Sequence, residues 1–281
     1  MSGTRGLLEA SRNALARLGM RLAAVLLIGI ALAFASDVFL TETNLLNVLR
    51  QAALLFLIAS GLTLVILTAG LDLSVGANLG MSACLAASAL KATGSPLLGA
   101  LTGVASGLGI GLANGLLVTA LRIPPFIATY GMLWVLHGLS YYYMAGDTIY
   151  GFPPGFREIG SGYALGVPIN RRLILVYTLS GAMAGLASLI FLARLNSAEG
   201  DIGESLTLPA IAAVLIGGAS LFGGVGTIGG TLIGALILTL VLNGMNLLEV
   251  NANWQPFVTG AIVLIGVLLD MWTRRRTEAK N

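Results

Sequence analysis

Apolar residues along this chain come in long runs rather than amphipathic stripes, and short polar or glycine-rich breaks divide the runs. A helix needs about 20 apolar residues to span a hydrocarbon core. By that measure the pattern predicts helices over 22–39, 52–69, 74–90, 96–121, 126–144, 173–193, 207–222, 229–248 and 256–272. Two of them, 74–90 and 207–222, are short and bounded by Gly70, Gly76, Gly80, Gly217, Gly218, Gly223 and Gly224. They read as broken or partly inserted helices, which survive in lipid only against protein or beside a cavity. Gly103, Gly107, Gly111 and Gly115 recur every four residues, as do Gly226, Gly230 and Gly234. That spacing predicts helix backbones in close approach. The expected fold is all-α: a polytopic helical bundle of about nine spans with short broken helices.

Composition narrows the class. Of 281 residues, 57% are hydrophobic and 10% charged, against about 25% charged in soluble domains. Mean hydropathy is +0.92, and a solvated surface all round is excluded. The basic balance does not point to nucleic acid. Nearly all the basic residues are Arg, most of them flank apolar runs, and this is the distribution of cytoplasmic loops. Residues 1–21 read as a cytoplasmic lead rather than a cleavable signal, 22–273 as the membrane domain, and 274–281 as a basic cytoplasmic tail. Cys84 is the sole cysteine; inside an apolar run it reads as a small packing residue.

Charge also sets orientation. Arg5, Arg12, Arg17 and Arg21 precede the first run and Arg274, Arg275, Arg276 and Lys280 follow the last, so both termini are expected inside. That requires an even number of crossings, and the pattern holds nine. Counting from the N-terminus puts Asp147 outside; counting back from the C-terminus puts Arg171 and Arg172 inside. The two counts collide within "GFPPGFREIGSGYALGVPINRR" (151–172), which is too polar for a span. One crossing is missing there.

Three polar spots interrupt the apolar runs. "TAGLDLSVGANLG" (68–80) carries Asp72, and an ionisable residue at membrane depth is a functional candidate by default. Asp72 or Ser74 is equally suited to cap the helix beginning near Val75. "GASLFGG" (218–224) echoes "GLDLSVG" (70–76), with Ser220 in the place of Asp72, as a distant internal duplication would. "TYGMLWVLHGLSYYYMAGD" (129–147) holds the sole histidine, His137, and Tyr141–Tyr143; a tyrosine belt at the lipid–water boundary, a satisfied buried histidine and the lining of a sugar path all fit it. No phosphate loop, metal cluster or catalytic triad is legible. No cofactor is expected, and any transport energy is expected from another chain.

On these residues the chain resembles a permease subunit of bacterial ABC importers, in the ribose-type and branched-chain-amino-acid-type family. "GLDLSVG" (70–76), "IPPFIATYGML" (123–133) and "LPAIAAVLIGGASLFGGVGTIGGTLIGALIL" (208–238) are similar to its motifs, nearest the monosaccharide branch. The resemblance implies a multi-pass protein of the bacterial inner membrane with about ten spans. It further implies import of a monosaccharide or sugar alcohol delivered by a periplasmic solute-binding protein. A second permease subunit would complete the path, and a separate ATP-binding subunit would drive it. By resemblance, Asp72, Ser74, Gly76, Thr129, Tyr130, His137 and Ser220 border the path or hold its broken helices. Gly166, Asn170, Arg171 and Arg172 would be the remnant of the contact to the ATP-binding subunit. The family carries about 40 further residues near 160–170, with a span and a coupling helix, which this chain lacks. Alternatives are branched-chain amino acids as substrate, an ATP-independent carrier or channel, and a transport-dead truncated permease.

Overall fold

The computed structural model describes residues 2–145, 147–152, 173–199, 203–221 and 223–278. Among them are nine helices: α1 (Ser2–Ala35), α2 (Glu42–Leu67), α3 (Val75–Thr93), α4 (Pro96–Thr119), α5 (Pro125–Met144), α6 (Leu173–Leu195), α7 (Glu204–Ile216), α8 (Ile228–Leu247) and α9 (Trp254–Glu278). Strand β1 (Ile149–Tyr150) pairs antiparallel with β2 (Ser197–Ala198). The fold is an all-α polytopic bundle. Five helical stretches are long and apolar enough to cross a membrane: Leu18–Ala35, Glu42–Leu67, Pro96–Thr119, Val176–Leu195 and Ile228–Leu247.

Local chemistry sets the helix ends. Thr41 Oγ1 accepts the Asn44 N–H at 3.3 Å, Ser95 Oγ accepts Leu98 N–H at 3.4 Å, and Thr227 Oγ1 accepts Gly230 N–H at 3.0 Å. Each satisfies an orphan donor at a helix start. Two boundaries differ from the sequence pattern. Helix α1 begins at Ser2, so the lead expected over 1–21 is largely helical and continuous with the first span. Helix α7 covers Glu204–Ile216 rather than 207–222, because Gly218 takes φ +80°, a left-handed turn that stops a helix.

The helices alternate in direction between an end carrying Arg122 and an end carrying Glu42. Helix α2 runs toward the Arg122 end, α3 away, α4 back and α5 away. Helix α6 then runs away from the Arg122 end again. Its Tyr177 lies against Gly70 and Gly111, while Arg194 Nη2 reaches Asn47 Oδ1 at 3.0 Å at the Glu42 end. After α5 the chain stays at that end, where Phe152 N donates to Asn196 Oδ1 at 2.7 Å. The expected anomaly therefore falls between Phe152 and Leu173; Gly166, Asn170, Arg171 and Arg172 lie outside the described residues.

Glycine builds the central seam. Gly107 and Gly111 on α4 face Gly181 and Gly185 on α6. A Cβ on Gly107 would strike the Gly181 carbonyl and lie 2.8 Å from Gly185 Cα. Any side chain here pushes the backbones apart. Gly230 and Gly234 on α8 meet Gly217 and Ala213 of α7 in the same way. Around these seams a core of Leu54, Ile58, Leu62, Ile66, Leu79, Val214 and Leu238 is buried.

Candidate functional site

The α2–α3 break is where polar side chains meet inside the bundle. Helix α2 ends at Leu67, Ala69 turns left-handed at φ 58°, and α3 starts at Val75. Asp72 Oδ1 accepts both the Ser74 N–H, at 2.9 Å, and the Ser74 hydroxyl, at 2.7 Å. Ser74 Oγ in turn accepts Asn114 Nδ2 from α4 at 2.7 Å. Thr129 of α5 closes the other side. Its Oγ1 accepts the Leu73 N–H at 3.2 Å and lies 3.0 Å from Leu71 O and 2.9 Å from Pro125 O, to one of which it donates. Two helices, α4 and α5, thus hold one loop. Asp72, Ser74, Asn114 and Thr129 are all buried.

This geometry revises the capping expectation. Ser74 occupies the N-cap position of α3 with no side-chain cap bond. Asp72 spends its acceptor on the residue before the helix, in a turn closed two residues on. Gly76 is needed for a different reason. A Cβ there would strike Gly203 O and Thr207 Oγ1, so the first turn of α3 and the start of α7 touch backbone to backbone.

Helix α7 begins inside the bundle. From β2 the chain descends along α3: Cys84 Sγ donates to Glu199 O at 3.6 Å, and Gly203 packs on Gly76 and Gly80. At 13 residues α7 is about 20 Å long at 1.5 Å per residue, too short to span. Ser220 follows it and is buried at the Arg122 end. Its N–H donates to Val225 O at 2.8 Å and its carbonyl accepts Gly223 N–H at 3.0 Å. The Gly224 N–H reaches Leu67 O at 3.1 Å, and Gly223 faces Ala69. The two similar loops, 70–76 and 218–224, each follow a helix that ends at the Arg122 end, and the second packs on the end of α2 just ahead of the first.

Four buried side-chain oxygens have no hydrogen-bond partner among the described residues: Asn114 Oδ1, Tyr177 Oη, Ser180 Oγ and Thr207 Oγ1. Each unmatched group costs about 1–3 kcal/mol. Three border the break, since Tyr177 faces Gly70, Thr207 faces Gly76 and Asn114 holds Ser74, while Ser180 faces Gly61 within α2. Sequence reasoning missed Asn114 and Tyr177; the available signal was an amide inside the apolar run 96–121.

Tyr130 and His137 lie elsewhere. They stand on the outward face of α5, in a row with Phe126, Trp134 and Tyr141. His137 is half-buried, and its ring meets Trp134 and Tyr141 at centroid distances of 5.7 and 4.9 Å. A second polar region opens at the Glu42 end. There a cavity of about 370 Å³ is lined by Gln51, Arg194, Asn246 and Gln255 among apolar neighbours. No group of three or more His, Cys, Asp or Glu suited to a metal occurs among the described residues.

Comparison with known proteins places the chain. The family described as branched-chain amino acid transport system, permease component, matches residues 44–153 and 161–267. The ribose import permease protein of Bacillus subtilis is 39% identical over 276 aligned positions, covering 83% of this chain and 86% of the relative. The galactose/methyl galactoside import permease protein of Escherichia coli is 31% identical, covering 88% and 92%. A probable ABC transporter permease of Sinorhizobium fredii is 33% identical over 98% of this chain and 94% of its own. No solved structure matches. The Bacillus alignment spans 276 positions yet uses 83% of 281 residues, about 233, so about 43 positions hold a residue in the relative alone. The family match is itself interrupted between 153 and 161. With a broken-helix bundle of this kind and a match over most of its length, the chain belongs to the permease-component family of the branched-chain amino acid transport system type, alongside the ribose and galactose import permeases.

Proposed function

We propose that the chain is the membrane-spanning permease subunit of an ATP-driven importer for a monosaccharide. The observation that carries this is the extent of its likeness to sugar import permeases, 39% identity to one of them across 83% of the chain. On this reading the Glu42 end faces the periplasm and receives solute from a binding protein. The Arg122 end and both termini face the cytoplasm, where a separate subunit hydrolyses ATP, and a second permease subunit completes the path in the inner membrane. The Asp72–Ser74–Asn114–Thr129 cluster holds the broken α2–α3 junction, with Gly76 against α7 and Ser220 supporting the neighbouring loop. Buried carboxylates of a proton-driven carrier are rare here: Asp72 is the one buried acidic side chain among the described residues, and its bonds to Ser74 suit a structural role.

The test is uptake of labelled ribose and galactose into proteoliposomes holding the permease, its ATP-binding subunit and a binding protein. The expected result is uptake that requires ATP inside and binding protein outside. Uptake that persists without ATP and collapses with a proton gradient would overturn the reading in favour of a carrier.

The likeness to import permeases does not favour the alternative of a transport-dead permease, which makes its own distinct prediction. The relatives' extra 43 or so positions and the shared direction of α5 and α6 fit the loss of a span and a coupling helix near 160–170. Co-purification decides: a chain that assembles with intact permeases and never retains the ATP-binding subunit by itself fits that alternative.

A further inference from the structure

Along one face of α5 run five rings in unbroken contact. Phe126 stacks on Tyr130 at 6.0 Å between centroids with 6° between planes. Tyr130 meets Trp134 edge-on at 6.4 Å, Trp134 meets His137 at 5.7 Å, and His137 meets Tyr141 at 4.9 Å. Their spacing of four, four, three and four residues keeps all five on one narrow stripe of a 3.6-residue helix. Ala128, Thr129, Leu136 and Ser140, outside this stripe, and Met144 at its C-terminal end are buried, while Phe126, Tyr130, Trp134 and Tyr141 remain about half exposed.

A boundary belt does not account for this row. Interfacial aromatics sit at headgroup level; Phe126 and Tyr141–Tyr143 lie near the two ends of the helix, but Trp134 does not. Trp134 is nine residues from Pro125 and ten from Met144, about 14 Å from either end at 1.5 Å per residue. A lipid-covered face would hold the His137 imidazole at hydrocarbon depth, an expensive place for an ionisable ring. Consistent with this, α5 is absent from the helices apolar enough to cross a membrane, although it is 20 residues long.

We propose that this face is a stacking track for the transported sugar, resting on the sugar-permease reading above. A sugar ring has a face of C–H bonds, whose partial positive charge is drawn to the negative face of an aromatic ring, and an edge of hydroxyls. The row supplies both partners: ring faces, and at their rims the Tyr130 and Tyr141 hydroxyls, the Trp134 N–H and the His137 nitrogens. Beside it, Gly131 and Gly138 stand two turns apart with nothing within 4 Å of where a side chain would begin. A solute therefore has room to lie low against the helix. Phe126 and Tyr130 stack while the other pairs meet edge-on, so a solute moving along the row meets ring faces and ring edges in turn without a bare apolar stretch, which favours a neutral polyol ring over an aliphatic zwitterion.

Two measurements on the assembled importer test this. With Trp254→Phe and Trp272→Phe, Trp134 becomes the sole indole in the chain. The track predicts quenching of Trp134 by aqueous acrylamide and little quenching by brominated lipid. Ribose uptake in Trp134→Leu and Tyr130→Leu should fall roughly two- to tenfold per ring, while Trp134→Phe and Tyr130→Phe retain most of it. Strong quenching by brominated lipid with protection from acrylamide overturns the track, even where the wild-type importer carries sugar. Wild-type uptake in the Leu variants, at unchanged assembly, overturns it as well. Failure of the wild-type complex to carry any sugar removes the permease reading itself.

Discussion

The Ser74 hydroxyl stands between Asp72 and Asn114, donating to Asp72 Oδ1 at 2.7 Å and accepting from Asn114 Nδ2 at 2.7 Å. One small side chain thereby ties the α2–α3 break to α4, in a part of the bundle where four other buried oxygens go unmatched. Asp72 acts through Ser74 and holds the loop in place.

That role separates two substitutions of Asp72. Asp72→Asn keeps an oxygen for both Ser74 donors, so thermal stability and ATP-driven uptake are expected to survive. Asp72→Ala strands those donors in a buried site, at about 1–3 kcal/mol per unmatched group, and should lower the melting temperature of the solubilised protein. Loss of uptake in Asp72→Asn at an unchanged melting temperature would assign the carboxylate to proton transfer instead.

The glycine seam makes a matched prediction within one helix. A methyl at Gly107 meets backbone atoms of Gly181 and Gly185, whereas one at Gly109 meets nothing within 4 Å. Gly107→Ala is expected to destabilise by about 1–3 kcal/mol through overpacking. Gly109→Ala is expected to be neutral or to stabilise by up to about 1 kcal/mol, since Ala outranks Gly in a helix interior. Chemical denaturation of the two variants in mixed micelles measures the difference, and equal effects would contradict the seam.

A pair of amides fixes α2 against α8. Asn44 Nδ2 lies 3.2 Å from Asn243 Oδ1, and Asn243 Nδ2 lies 2.9 Å from Asn44 Oδ1. Interhelical hydrogen bonds of this kind couple by about 0.6 kcal/mol on average. A double-mutant cycle with Asn44→Ala and Asn243→Ala should return a coupling of that order. Strict additivity would show that the two amides do not depend on each other.

Much of this was legible in the sequence because it rested on long, repetitive signals. Nine apolar runs correspond to the nine helices among the described residues, and the four-residue glycine spacing on α4 identifies a packing face, although not Gly181 and Gly185 as its partners. Of the two helices expected to be short, α7 is so at 13 residues, whereas α3 extends to 19. What escaped was isolated polarity. Asn78, Asn114 and Asn243 sit among apolar or glycine neighbours and Asn44 reads as part of the polar helix start 41–44, while the partner of each lies tens of residues away or more. The aromatic row is half legible: Tyr130, His137 and Tyr141–Tyr143 stand out in the sequence, while Phe126 and Trp134 join them only once the helix phase is known. The end of α7 was misplaced because the apolar pattern runs on through Leu221, past the left-handed turn at Gly218.

The account stands on α5 and α6 running in one direction. Single cysteines at Tyr150, Leu195, Arg122 and Val225, each in a Cys84→Ala background, test this with a membrane-impermeant thiol reagent in intact cells. The account predicts that Tyr150→Cys and Leu195→Cys are labelled from outside, and that Arg122→Cys and Val225→Cys react only after the membrane is opened. Labelling of Tyr150→Cys and Leu195→Cys from opposite sides would contradict the shared direction of the two helices, and with it the permease arrangement built on them.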